Sequence, residues 1–308
     1  IADVNAPTLD SSSPLDDATG IAVDANIVLT FSEAVDVESG NITLYKSSDD
    51  STVETIDVTG SLVTGTGTTT ITINPATTLD SSTGYYLNID ATAFDDASGN
   101  SYAGISDKTE LNFTILDIID PTLSSSTPAN GATGVAVDAD IVLTFDEAVD
   151  VESGNITIKK SSDNSTVETI DVTGSKVTGT GTTEITINPS STLASSTGYY
   201  LNIAATAFDD GSSNSYAGIT DATTLNFTIA DVNAPTLSSS IPTDGATGVA
   251  VDANIVLTFN EAVDVESGNI TIKKSSDNST VETIDVTGSK VTGTGTTEIT
   301  INPSSTLA

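Results

Sequence analysis

The chain repeats itself with a long period. Pro7, Pro121 and Pro235 stand 114 residues apart, as do Glu33, Glu147 and Glu261. Residues 131–194 and 245–308 differ at two positions only, Asp140 against Asn254 and Asp146 against Asn260. Solenoid units run to about 20–50 residues, so a period of this length is a whole domain, and whatever one copy folds into the next must fold into again. An enzyme gains little from several active sites in a row, whereas a spacer or a binding array gains length. The domains are expected at 1–116, 117–230 and 231–308. The third copy reaches Ala308, the counterpart of Ala194, and is expected to lack its last two strands. Ile1-Ala2-Asp3 matches Ile229-Ala230-Asp231, so the chain is expected to be a stretch of a longer protein.

Within one copy the hydrophobic pattern has period 2. Ile27, Leu29 and Phe31 point one way, with Val28 and Thr30 between them. Ile42 and Leu44, Ile71 and Ile73, Tyr85, Leu87 and Ile89, and Leu111, Phe113 and Ile115 continue the alternation. Thr, Val and Ile fill these runs, and Gly, Ser, Asn and Asp separate them, as in half-buried strands joined by turns. No stretch has helical periodicity. The expected strands are A around 8–13, B 26–31, C 41–46, D 52–58, E 69–74, F 84–90 and G 110–115. Seven short strands in about 110 residues predict an all-β fold, an immunoglobulin-like β-sandwich, with tandem copies stacked end to end as a rod. Ser47–Asp50 is the expected C–D hairpin turn, and Gly65-Thr66-Gly67 a turn between β segments. Leu79 followed by Gly84-Tyr85 marks the corner before strand F, which gives Tyr85 a structural role. Lys159-Lys160 is expected to mark a solvated strand edge.

The chain carries 43 acidic and 8 basic residues, a net charge of −35. Such a surface repels phosphate backbones and anionic lipid heads, so nucleic acid and membrane partners are not expected. It attracts cations, keeps a long chain soluble and monomeric, and also suits a salty habitat. There is no Cys, Met, Trp or His, which excludes disulfides and thiolate or imidazole metal sites. No apolar run approaches 18 residues. The adjacent Asp95 and Asp96 could suggest glycosidase chemistry. With no His, Arg or Trp and no aromatic platform, no enzyme activity is expected. Asn-x-Thr at Asn41, Asn112 and Asn155 is read as strand alternation.

Strand parity collects acids at one pole of each sandwich, where the chain enters. The linker supplies Asp3 and Asn5, the B–C loop Glu33, Asp36 and Glu38, and the F–G loop Asp95, Asp96 and Asn100. The second copy supplies Asp117, Asp120, Glu147, Asp150, Glu152, Asp209, Asp210 and Asn214. The third supplies Asp231, Asn233, Glu261, Asp264 and Glu266 without an F–G loop, so its site should be incomplete. Carboxylates crowded together without Arg or Lys repel each other, and a hard divalent cation removes the repulsion. Calcium takes six to eight oxygens in flexible geometry, whereas magnesium keeps its waters and zinc wants nitrogen or sulfur. The expected cofactor is Ca²⁺, against the alternative of a merely solvated acidic pole. Glu33 and Asp95, next to strand ends, are the favoured ligands.

The run Pro14…Gly20-Ile-Ala-Val-Asp24-Ala-Asn-Ile-Val-Leu-Thr-Phe31-Ser-Glu33, with Leu79…Tyr85 and Asp95-Asp-Ala-Ser-Gly-Asn100, resembles the bacterial Ig-like domains of S-layer proteins and large adhesins. The resemblance covers each full repeat; Ser213 in place of Gly99 is one departure. It implies a β-sandwich found in tandem in secreted, surface-anchored proteins. In giant repeats-in-toxin adhesins such repeats form calcium-stiffened extenders, and the linker also resembles that of cadherins. The expected function is therefore a calcium-stiffened spacer in a bacterial surface adhesin, active in biofilm, whose partners are its own neighbouring repeats. The alternatives are a carbohydrate- or protein-binding module, for which Tyr45 is the sole aromatic candidate, and an S-layer subunit.

Overall fold

The computed structural model describes residues 3–190 and 192–304. By its contacts the chain divides into two compact units, residues 1–230 and residues 231–308. The described residues form strands, turns and loops only, and no helix among them is long and apolar enough to cross a membrane.

The first repeat contains β1 (Leu9–Ser13), β2 (Ala18–Ile21), β3 (Ile27–Val37), β4 (Asn41–Lys46), β5 (Thr52–Asp57), β6 (Val63–Thr64), β7 (Thr68–Ile73), β8 (Gly84–Ile89), β9 (Phe94–Asp95) and β10 (Asn112–Ile115). One sheet has the order β1-β3-β7-β6, with β9 also on β3; the other has the order β2-β10-β8-β4-β5. The two sheets face each other over the predicted inward positions. Ile27, Leu29, Phe31, Ile42, Leu44, Ile71, Ile73, Leu87 and Phe113 are all buried, and form one core with Tyr85, Phe94 and Tyr102. Tyr102 meets Phe31 edge-on at 5.2 Å between ring centroids, a favoured aromatic geometry.

The second repeat copies this set as β11 (Leu123–Thr127), β12 (Ala132–Val135), β13 (Ile141–Val151), β14 (Asn155–Lys160), β15 (Thr166–Asp171), β16 (Val177–Thr178), β17 (Thr182–Ile187), β18 (Gly198–Ile203), β19 (Phe208–Asp210) and β20 (Asn226–Ile229). The third has β21 (Leu237–Ile241), β22 (Ile255–Val263), β23 (Asn269–Lys273), β24 (Thr280–Asp285), β25 (Val291–Thr292) and β26 (Thr296–Ile301). These make a four-stranded sheet, β21-β22-β26-β25, and a separate pair, β23-β24.

The architecture is the expected tandem array of β-sandwiches, with four local differences. Strand B runs on to Val37, past the expected end at Phe31, because β9 pairs with its far end at Asp36↔Asp95 and Val37↔Phe94. The run expected as strand D is β5, which pairs with β4 in the same sheet as β8 and β10; strand D proper is only the two residues of β6. The short β2, running parallel to β10, was not expected. Lys159 and Lys160 lie on β14, an interior strand paired on both sides, so they do not mark an edge. They sit at the strand's end, where long aliphatic stems lie on the sheet and the ammonium groups reach water.

The corner before strand F is as the sequence predicts. Tyr85 is buried, and its hydroxyl accepts a hydrogen bond from the Asp80 amide at 2.9 Å. Tyr199 accepts from Ala194 at 3.0 Å in the same way. Gly65 has a φ of +108°, and a Cβ there would lie 2.1 Å from the Thr70 carbonyl oxygen, so only glycine fits this turn.

Candidate metal centre

Strand alternation carries two carboxylates onto the inward faces just where the apolar core ends. On β3, Glu33 shares the parity of Phe31 and Val35, both buried. On β9 and β19, the buried Phe94 and Phe208 are followed two residues later by Asp96 and Asp210, the charged side chains buried among the described residues. The linker brings a third carboxylate to the same place. Asp3, Glu33 and Asp96 offer oxygens within 4.8 Å of one another, and so do Asp117, Glu147 and Asp210. The ion pairs among the described residues, Lys46–Asp80, Lys108–Asp50, Lys176–Glu168 and Lys290–Glu282, lie elsewhere. No lysine neutralises either cluster.

A tight loop holds the buried carboxylate. Asp96 Oδ1 accepts from the backbone amides of Ser98 and Asn100, both at 2.8 Å. Asn100 Nδ2 donates to Asp96 Oδ2 at 2.7 Å and to the Asp3 carbonyl at 3.2 Å, fastening linker to loop. Asp210 and Asn214 repeat this, with Asn214 Nδ2 on the Asp117 carbonyl at 3.1 Å. Ser213 takes the left-handed backbone of Gly99, φ +69° against +80°, and still donates to the Asp210 carbonyl. The departure from glycine therefore leaves the loop intact.

The charges respond as their contacts dictate. The Asn100 side chain, then its amide, hold the Asp96 carboxyl below its usual range. Glu33 is pushed up, first by burial and then by Asp3 and Asp96. Glu147 is pushed up by burial, Asp117 and Asp210. Asp117 is lowered, chiefly by the Ile119 amide. In the third repeat Glu261 is raised, first through a hydrogen bond with Asp231.

The other acidic candidates lie outside the clusters. Asp36 and Asp95 face each other across β3 and β9, on the opposite parity from Glu33 and Asp96. Asp36 accepts from Thr66 Oγ1 at 3.3 Å, Asp150 from Thr180 at 3.1 Å and Asp264 from Thr294 at 3.2 Å, which ties the β6–β7 turn and its copies to strand B. Asp209 is the counterpart of Asp95 and pairs with Asp150. Glu38, Glu152, Glu266 and Asp120 are exposed. Asn5 and Asn233 contribute their backbone amides, to Asp3 Oδ1 at 3.1 Å and Asp231 Oδ1 at 3.0 Å. Ile119 does the same for Asp117 at 3.1 Å, so the altered second linker needs no side-chain oxygen at that position. The sequence points to Asp95, next to strand F, whereas Asp96 is the residue that lies with Asp3 and Glu33. The signal that separates them is the parity of Phe94, which marks the inward side of β9.

The family is decided by the repeat itself. The sequence model of the bacterial Ig-like domain matches residues 3–115, 117–229 and 231–308. This chain belongs to the bacterial Ig-like domain family. No curated protein matches these bacterial Ig-like repeats. Among solved structures, the N-terminal part of the bacterial S-layer protein SbsC is similar at 13% identity and a TM-score of 0.26, over 74% of this chain and 45% of that one. The BSP domain of a biofilm-associated protein is similar at 15% identity and a TM-score of 0.19, over 70% of this chain and 29% of that one. The chain spans about half or less of the S-layer structures it matches.

Proposed function

We propose that these bacterial Ig-like repeats are a spacer in a secreted surface adhesin, stiffened by calcium held at the start of each of the first two repeats, with no catalytic role. One observation carries the reading: the same three carboxylates, one from the linker and two from the sandwich, come within 4.8 Å in two successive copies with no lysine beside them. The donors are all oxygen, which fits a hard cation, and calcium in particular accepts such irregular sets. Asp3, Glu33 and Asp96 would hold one ion, and Asp117, Glu147 and Asp210 another. Calcium supplies the positive charge that makes three carboxylates at this distance favourable.

The residues explain why an ion here would act on stiffness. Asp117 belongs to the linker, and its Oδ1 also accepts from Ser81 Oγ of the preceding repeat at 3.0 Å. Its cluster partners, Glu147 and Asp210, belong to the following repeat. An ion held by all three fixes the linker to both neighbours. Without it, repulsion loosens the linker from the pole. Extracellular calcium modules bind at about 10⁻⁴ to 10⁻³ M, which suits a protein that meets calcium outside the cell. The net charge of −35 favours a chain that stays apart from its copies.

Small-angle X-ray scattering on the chain, in millimolar calcium and then in excess EGTA, tests this. Chelation is expected to increase flexibility and shift the distribution of intramolecular distances while circular dichroism keeps its β signature. Identical scattering curves and melting temperatures in the two buffers would sink the proposal.

A further inference from the structure

The first two copies differ at a position where one side chain fills a space that the other leaves open. In the first repeat Asp90 follows β8 and turns its carboxylate back to β4. Its Oδ2 accepts from the Asn41 amide at 2.8 Å and would lie 3.1 Å from a Cβ on Gly40. Ala204 holds this position in the second repeat. The surrounding backbone is the same in both. The Asp90 and Ala204 amides donate to the Asn41 and Asn155 carbonyls, each at 3.0 Å. The Ala93 and Ala207 amides donate to the Asp90 and Ala204 carbonyls, again at 3.0 Å. What the second repeat lacks is the carboxylate, and Ala204 offers the Asn155 amide no side-chain oxygen in its place.

A cleft of about 360 Å³ opens at this point of the second repeat, within the range of small-ligand sites, about 300–1,000 Å³. Its lining includes Gly154, Asn155, Thr157, Asn202, Ala204 and Thr220. Thr157 and Asn202 face each other across β14 and β18. They lie on the outer side of the sheet, since Ile156, Ile158, Leu201 and Ile203 are buried. Asn202 Nδ2 donates to the Asp221 carbonyl at 3.3 Å. The lining therefore offers hydroxyls, amides and a backbone donor, and no lysine. Nearby acids do not exclude an anion. Asp171 lies opposite Asn155, but Asp57 lies opposite Asn41 in the same way, and the first repeat still holds the Asp90 carboxylate on Asn41.

We propose that this cleft of the second repeat binds a sugar acid, whose carboxylate takes the place that Asp90 fills in the first repeat. The Asn155 amide donates to the carboxylate, and an ionised acceptor makes such a bond stronger than a neutral one does. The ring hydroxyls meet Thr157, Asn202 and Thr220, which both donate and accept. A phosphate or sulfate group fits less well, because no lysine lines the cleft to balance its charge. The first repeat keeps its own carboxylate in this place and offers no such site.

Sodium glucuronate titrated into the full ¹⁵N-labelled chain in EGTA, followed by amide chemical shifts, tests this. Sugar acids bind calcium themselves, so the chelator keeps the outcome separate from that of the calcium reading. The Asn155 amide is expected to shift and saturate with a Kd of about 10⁻³ M. Glucose, which lacks the carboxylate, and acetate, which lacks the ring, are each expected to bind about tenfold more weakly or worse. Ala204→Asp rebuilds an arrangement that the first repeat already folds with, and is expected to weaken glucuronate binding about tenfold or more. Asp90→Ala is expected to open a second site, read at the Asn41 amide. No saturable shift at Asn155, equal affinity for glucose or for acetate, or unchanged binding in Ala204→Asp would each overturn the proposal.

Discussion

Glu147→Gln distinguishes a cation site from a merely solvated acidic pole by the sign of its effect. Glu147 lies with Asp117 and Asp210 within 4.8 Å. Two unit charges at that distance repel by about 1 kcal/mol in bulk water, and by about 3–4 kcal/mol at an effective dielectric of 20. Glu147 is half-exposed, so the lower figure applies and its two repulsions come to about 2 kcal/mol at most. Gln keeps the side chain's shape and removes the charge. In chelator the variant is therefore expected to be more stable by about 1–2 kcal/mol, a rise of about 2–8 °C in melting temperature for a unit of some 230 residues. In calcium the order reverses. A ligand at a hundred times its Kd stabilises the native state by about 2.7 kcal/mol, and the variant forfeits most of that with one of its three carboxylates. Because Glu147 is raised above its usual value, the stability tied to its protonated form is complete below about pH 4.5 and is lost as pH rises through the raised value. Acidification in chelator should therefore bring wild type and variant together. Calorimetry of the full chain, in calcium and in chelator, reads all of this. A variant that melts at or below wild type in chelator refutes the crowding argument. Equal calcium shifts in both proteins refute the role of Glu147 at a cation site.

Other consequences are equally direct. Tyr199→Phe removes the acceptor for the Ala194 amide in a buried corner and is expected to cost about 1–3 kcal/mol; an unchanged urea midpoint would contradict the corner's role. At Gly179 a Cβ would lie 2.0 Å from the Glu184 carbonyl oxygen at φ +108°, so Gly179→Ala is expected to cost about 3 kcal/mol or more. Gly181, whose nearest atom would be Asp150 Oδ1 at 3.7 Å, carries only the left-handed penalty of about 1–2 kcal/mol. Equal losses at the two glycines in thermal melts would disprove the steric account. Asn214→Ala frees both Asp210 Oδ2 and the Asp117 carbonyl, and is expected to weaken calcium binding about 10–100-fold. Calorimetric titration checks this, with an unaltered affinity as the contrary result.

Much of the fold was legible because strand pattern is local information. Ile27, Leu29 and Phe31 alternate in the sequence and are buried in the structure. What stayed hidden depends on pairing. Nothing in Thr52–Asp57 says whether it joins β4's sheet or the opposite one, since a short hairpin turn allows the first and a sandwich count favours the second. The strand character of Asp36 and Val37 comes from β9, more than fifty residues later in the chain, while Val35 pairs with Thr68 of β7. The juxtaposition of linker, strand B and the loop after β9 followed from strand direction alone. The choice of Asp96 over Asp95 required the parity of a two-residue strand that the sequence pattern did not reveal.

The differences between copies separate what the fold needs from what the cluster keeps. Ser32, Asp146 and Asn260 occupy one position, and each accepts a hydrogen bond from the amide of Thr8, Thr122 or Thr236. That position needs an oxygen acceptor, and hydroxyl, carboxylate and amide all serve. Asp96 and Asp210 also accept backbone amides through Oδ1, a role an asparagine oxygen could fill. Yet both copies carry aspartate there, Glu33 and Glu147 stand in both, and Asp3 and Asp117 begin both linkers. The same two copies exchange Tyr45 for Lys159, Leu62 for Lys176 and Gly99 for Ser213. Hydrogen bonding accounts for an acceptor at these sites but not for three negative charges held close together against their mutual repulsion. The divalent cation proposed above would give the charge itself a use, at the point where linker and sandwich meet.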